Sequence, residues 1–197
     1  MAALAGFVDA IGVLATGGFF VSFMSGNSTR LGVGIAGASP YVLIPLGLIA
    51  AFVAGVCLGS LLGRRAADRR AKGTMLLVGT LLGIGGLAAV AGYSWVGIAL
   101  AAVAMGAENT AFEANGTVRF GVTYMTGTLV RLGQGLAAAI TGEDRFGWQP
   151  YLRHWIALMA GAVAGALLYP LTGLSALLVA AAAAVALSFV TPTSAQG

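Results

Sequence analysis

Runs of about 20 apolar residues, nearly free of charge, follow one another along this chain, and each is long enough to cross a hydrocarbon layer of about 30 Å as a helix. Alternating apolar and polar strand patterns are absent, and lipid penalises every backbone group left unpaired, so the chain reads as all-α, a polytopic transmembrane helix bundle. Hydrophobic residues make up 59% and charged residues 8%, which excludes a water-soluble globule. Polar or Gly/Pro punctuation marks about eight apolar helical segments: 2–16, 19–37, 40–63, 74–92, 95–115, 118–141, 150–170 and 173–191. The first is short for a full span, so six to eight crossings are expected.

The net charge is +4, but half of the Lys and Arg residues sit in one short stretch: Arg64, Arg65, Arg69, Arg70 and Lys72. That stretch reads as a cytoplasmic loop. It lacks the aromatic interleaving of a nucleic-acid surface, so no nucleic-acid partner is expected. Cys57 is the single cysteine, which rules out a disulfide within the chain. Met1 to Thr16 has no positively charged start, so no cleavable signal is read there.

The two halves resemble each other. Gly6-Phe7-Val8-Asp9-Ala10 lies over Gly106-Ala107-Glu108-Asn109-Thr110, and Met24-Ser25-Gly26 with Arg30-Leu31-Gly32 lies over Met125-Thr126-Gly127 with Arg131-Leu132-Gly133. Pro40-Tyr41 matches Pro150-Tyr151, Ala54-Gly55 matches Ala164-Gly165, and Gly63 matches Gly173. These landmarks keep one order, so residues 1–197 read as a single transmembrane domain of two tandem repeats, about 1–92 and 94–192. An even number of crossings per repeat sets both copies the same way up, and an odd number inverts the second. With eight spans and residues 64–73 in the cytoplasm, both termini fall outside, Arg119 inside, and Arg145 and Arg153 outside.

Six charged residues interrupt apolar segments: Asp9, Arg30, Glu108, Glu113, Arg119 and Arg131. A charge in the bilayer costs about 2.5 to 3.5 kcal/mol on the lenient scale, so these side chains should face protein or water. Position predicts two ion pairs, Asp9 with Arg30 and Glu108 with Arg131, lining a pathway for a polar or anionic solute or for protons. The competing reading is a pair of buried salt bridges that only fix helix register. Glu113 and Arg119 fit a solvated turn.

Each half also carries a polar interruption, Ser22 with Ser25-Gly26-Asn27-Ser28-Thr29 and Thr123 with Thr126-Gly127-Thr128. Ser, Thr and Asn compete for backbone hydrogen bonds, so both helices are expected to open at the same depth. Freed backbone groups there could coordinate a solute, and matched interruptions point to a transporter site. Close helix packing by small residues explains the same pattern without a ligand. Gly55, Gly59 and Gly63, Gly79 with Gly83, and Gly161 with Gly165 recur every four residues and read as tight helix contacts; a homodimer seam through the third segment is a further use of them. His154 beside Arg153 and Trp155 reads as an interfacial anchor, and Tyr93, Trp95, Trp148 and Tyr151 as an aromatic belt on the outer side. No nucleophile with a base, metal cluster or phosphate loop can be assembled, so neither an enzyme nor a cofactor or metal is expected.

The paired glycine-acid and Met-Ser/Thr-Gly motifs, Gly6 to Ala10 with Phe23 to Asn27 and Gly106 to Thr110 with Thr123 to Thr128, resemble the YoaK-like family of small bacterial inner-membrane proteins, a domain of unknown function. The resemblance spans nearly the whole chain and implies a multi-pass protein of the bacterial cytoplasmic membrane, in contact with lipid. Glu108 departs from it where Gln is more usual, and Glu113 where a basic residue is common. The expected function is a secondary transporter or permease for a small polar or anionic solute, its site at mid-membrane between the repeats. The residues expected there are Asp9, Ser25, Gly26, Asn27, Arg30, Glu108, Asn109, Thr126, Gly127 and Arg131. A channel-like pore and a non-transporting scaffold are the alternatives.

Overall fold

The computed structural model describes residues 1–65, 69–111, 113–114, 117–118 and 123–190. Its helices are α1 (Ala2–Thr16), α2 (Met24–Ala36), α3 (Leu43–Arg65), α4 (Arg70–Val90), α5 (Ser94–Glu108), α6 (Met125–Thr141), α7 (Gln149–Thr172) and α8 (Ala176–Val190). Between α5 and α6, β1 (Glu113–Ala114) pairs antiparallel with β2 (Thr117–Val118). Arg119 and the side chain of Glu113 lie outside the described residues.

The surface is that of a protein in lipid. Ile140, Leu171 and Val190 are 87%, 81% and 78% exposed, an arrangement that water would not tolerate over so many helices. The stretches Leu43–Arg65, Arg70–Val90 and Gln149–Val190 are long and apolar enough to cross a membrane. The last holds two helices, because Gly173, at φ 58°, breaks α7 from α8 and the chain reverses. Packing inside relies on small residues. Ala180, Ala181 and Ala184 of α8 are buried in the same core as Met75, Val78 and Leu82 of α4.

Glycine contacts give the helix directions. Gly161 and Gly165 lie against the carbonyls of Ala3 and Phe7, so α1 and α7 run the same way. Gly55 and Gly59 lie against Val103 and Ala107, so α3 and α5 also run together. Gly85 meets Gly97 and Leu100 while Ala89 meets Gly97, which makes α4 antiparallel to α5; Gly79 meets Val185 and Gly86 meets Leu178, which makes α4 antiparallel to α8. Thus α1, α4 and α7 point one way, and α3, α5 and α8 the other.

Two ends follow from these directions. At the basic end, next to Arg64 to Lys72, lie the starts of α1, α4 and α7 and the finishes of α3, α5 and α8. The opposite end holds the finish of α1 and the start of α3, so α2, between them, leaves and returns to that end. By the same reasoning α6, between the finish of α5 and the start of α7, belongs to the basic end. The expected outer belt is therefore split, with Tyr93 and Trp95 at the start of α5 and Trp148 and Tyr151 at the start of α7, at opposite ends. Arg145 and Arg153 lie beside the start of α7, at the same end as Arg64, Arg65, Arg69 and Arg70.

The glycine spacing does its work within the chain. Gly55 and Gly59 are buried against α5, and Gly63 packs against the Arg70 guanidinium.

Candidate functional site

The second apolar segment opens earlier than its polar residues suggest. Gly17 and Gly18, at φ 71° and 122°, end α1 in a left-handed turn that side chains disfavour. Thr16 secures the turn: its hydroxyl donates to the Gly12 carbonyl (2.8 Å) and accepts from the Phe19 amide (2.9 Å). The chain then folds back along α1. Asp9 Oδ1 accepts the amides of Val21 and Ser22, both at 2.9 Å. Asp9 lies seven residues before the finish of α1, about 10 Å deep at 1.5 Å per residue. The loop therefore re-enters the bundle before α2 starts.

Ser25 to Thr29 are helical rather than unwound, and they form the first turns of α2. Ser28 and Thr29 donate their hydroxyls to the carbonyls of Met24 and Ser25, at 2.8 and 3.1 Å. Asn27 is fully buried and clasps the re-entrant loop from the other side. Its Oδ1 accepts the Phe20 amide (3.0 Å) and its Nδ2 donates to the Phe20 carbonyl (2.6 Å). Gly26 packs against the rings of Phe23 and Phe20, where a side chain has no room.

A polar side chain also holds the approach to α6 at the basic end. Asn109 Oδ1 accepts the amide (3.3 Å) and hydroxyl (3.2 Å) of Thr123, and its Nδ2 donates to the Met105 carbonyl (2.9 Å). Gly127 packs on the Tyr124 ring, Thr128 is buried, and Thr126 is exposed on the first turn of α6. Ala107 and Thr110 lie against Gly59, six residues before the finish of α3, so Asn109 sits about 9 Å inside that end.

Neither expected ion pair forms. The Asp9 carboxylate is taken by backbone donors, with the Ser22 hydroxyl and Phe23 amide also turned toward it. Arg30 instead stacks its guanidinium over the rings of Phe19 (5.4 Å) and Phe20 (5.9 Å). It lines a cavity of about 430 Å³ with Phe19, Thr29, Ser39 and Tyr41. In the second half Glu108 is fully buried, and neither carboxylate oxygen has a hydrogen-bond partner. Arg131 lies on the exposed side of α6. Amides reach Asp9 and rings reach Arg30 first, and a pattern of charged positions shows neither.

Sequence reading missed Phe19, Phe20, Val21 and Thr123 as partners. The Gly17-Gly18 pair was the available sign that the chain turns back there.

An apolar-surfaced helical bundle in which polar side chains hold the approaches to two short helices is an integral membrane protein. Residues 1–190 match the family described as protein of unknown function (DUF1275), and the chain belongs to that family. It is 36% identical, over 186 residues, to a UPF0700 transmembrane protein of Rhizobium meliloti (strain 1021), covering 94% of this chain and 80% of the relative. No solved structure matches.

Proposed function

We propose that this protein is a secondary transporter or permease for a small anionic or polar solute, built from two copies of a three-crossing unit inserted in opposite directions. The observation that carries the reading is the pair of short helices, α2 and α6, that re-enter from opposite ends with their starts clasped by Asp9 and Asn109. Helix starts carry partial positive charge, and discontinuous helices in corresponding places of two halves are where transporters bind anionic groups.

The inverted repeat rests on contacts that recur at fixed offsets. Gly6 on Leu158 corresponds to Gly106 on Phe52, and Gly161 on Ala3 to Gly55 on Val103. Gly34 on Val42 likewise corresponds to Gly135 on Trp148. These pairs align Gly55 with Gly161, one helical turn from the match with Gly165 expected from sequence. Six helices cross, α2 and α6 do not, and three crossings per copy turn the second copy over.

Orientation follows from charge. Among the described Lys and Arg residues, Arg64, Arg65, Arg69, Arg70, Lys72, Arg131, Arg145 and Arg153 lie toward the basic end, and Arg30 alone lies at the other. The basic end is then cytoplasmic, with the start of α1 and the finish of α8 on that side, in the inner membrane of a bacterium. Arg30, stacked in its cavity, is a docking point for an anion arriving from outside.

The core between the halves is solid, with Val8, Ile11, Met75 and Met105 fully buried, which favours a carrier that changes shape over a standing pore. The test is a thermal-shift screen of the purified protein against small carboxylates, phosphates and other polar metabolites, then counterflow of each stabilising compound in proteoliposomes. Saturable counterflow supports the reading. Neither stabilisation nor flux for any compound leaves a non-transporting scaffold.

A further inference from the structure

Among the described residues, the side-chain oxygens buried without a hydrogen-bond partner are Oε1 and Oε2 of Glu108 and Oγ1 of Thr74. Both residues are 0% exposed. The α4–α5 hairpin sets them at matching depths. Gly85 and Gly97 face each other across it. Thr74 lies eleven residues before Gly85, and Glu108 eleven residues after Gly97. Eleven residues are about three helical turns, so each side chain returns to the face on which the glycines meet. A carboxyl and a hydroxyl, both unpartnered, therefore share one level near the cytoplasmic end of the core.

A carboxylate held there with no donor is strongly disfavoured, whereas the neutral acid is tolerated and can hydrogen-bond to a hydroxyl. We propose that Glu108 and Thr74 form a proton-binding site, in which Glu108 holds a proton in the closed bundle and exchanges it with the cytoplasmic side. Uptake adds one proton to a carboxylate oxygen. The resulting O–H can donate to Thr74 Oγ1, while the Thr74 hydroxyl turns to the other oxygen. Release returns the proton to water and leaves a carboxylate that needs donors from an opened cytoplasmic end.

Among the described residues, the charged groups on the elements packed around the site are few. On α4, Arg70 is one turn from Thr74 with its guanidinium against Gly63, while Lys72 is drawn to the Phe189 ring (5.2 Å). On α3 the nearest are Arg64 and Arg65 in its last turn. On α1, the amino end at Met1 lies at the same end of the bundle. Neither α8 nor the rest of α5 carries a titratable side chain.

In the other half, Val8 stands where Glu108 does and is equally buried. One half thus carries a titratable group and the other an inert one. That this proton drives transport rests on the reading above; that Glu108 binds it does not.

The test is infrared spectroscopy of the full-length protein in nanodiscs, titrated from acid to alkaline pH, on wild type and Glu108→Gln. A carboxylic-acid C=O band at neutral pH is expected in wild type, shifted by D2O and by 13C-glutamate labelling and lost at high pH. It should be absent from Glu108→Gln and kept in Glu143→Gln. Glutamate labelling reads the same group in wild type if Glu108→Gln does not fold. No labelled-glutamate acid band at neutral pH, or stabilisation of wild type by sodium but not choline chloride that Glu108→Gln abolishes, would overturn the proton assignment. A band without solute flux keeps the proton site and removes the transporter; flux without a band does the reverse.

Discussion

Asp9 Oδ1 and the amide nitrogen of Val21 are 2.9 Å apart, a contact across twelve residues that pins a re-entrant loop to the helix it has just left. One oxygen holds two consecutive amides. In lipid these donors have no water to fall back on, so the carboxylate does for this loop what a backbone ladder does elsewhere.

Replacing Asp9 with Ala strands both amides. Each unsatisfied group costs about 1–3 kcal/mol, so Asp9→Ala should lower the melting temperature in detergent sharply. Asp9→Asn keeps an acceptor and should lose less than half as much. Equal losses for the two variants would mean that Asp9 acts through its charge and not as an acceptor.

The Gly161 contact with the Ala3 carbonyl leaves no space for a side chain, whereas a Cβ at Gly83 meets only the Ala181 Cβ at 3.8 Å. Gly161→Val should cost about 1–3 kcal/mol or more through forced separation of α1 and α7. Gly83→Ala should be neutral or slightly stabilising, because it improves helix propensity. Thermal unfolding of both variants checks the difference.

Topology is open to thiol labelling in a Cys57→Ser background. A cysteine at Ser39 should react with an impermeant reagent from outside intact cells. One at Arg69 or at Glu143 should react only after the membrane is opened. Glu143 is the decisive position, since eight crossings would expose it outside and six place it with the basic loop.

Arg30→Ala should raise the half-saturating concentration for an anionic solute about ten- to a hundredfold, the worth of one charge-assisted contact of about 1.5–3 kcal/mol. Arg30→Lys keeps the charge but loses the planar stack on Phe19 and Phe20, so it should fall between the two. Concentration-dependent flux in proteoliposomes separates the three proteins.

Much of the bundle was legible from apolar run length alone. Segments 2–16, 40–63 and 150–170 fall almost on α1, α3 and α7, and in the last two hydrocarbon thickness sets the length. The segment 19–37 misled, since its hydrophobicity hides a return loop whose polar atoms are paired to Asp9 and Asn27. In the six-crossing reading proposed above, that loop is what moves Arg145 to the side of the basic loop. The partner of Arg30 was invisible for a related reason: opposite charges are conspicuous in a sequence, while a ring lying under a guanidinium is an accident of the fold. Thr74 carried no sign at all, because only the hairpin register brings it to the level of Glu108.

The seating of Gly6 on Leu158 has a consequence for biosynthesis. The grooved side of the first helix meets its mate only after some 150 further residues have left the ribosome. Until then its glycine face must wait in the bilayer or in the care of the insertion machinery. Neither half can mature as an autonomous unit, so a truncation before α7 should be a substrate for quality-control proteolysis and not a small folded protein.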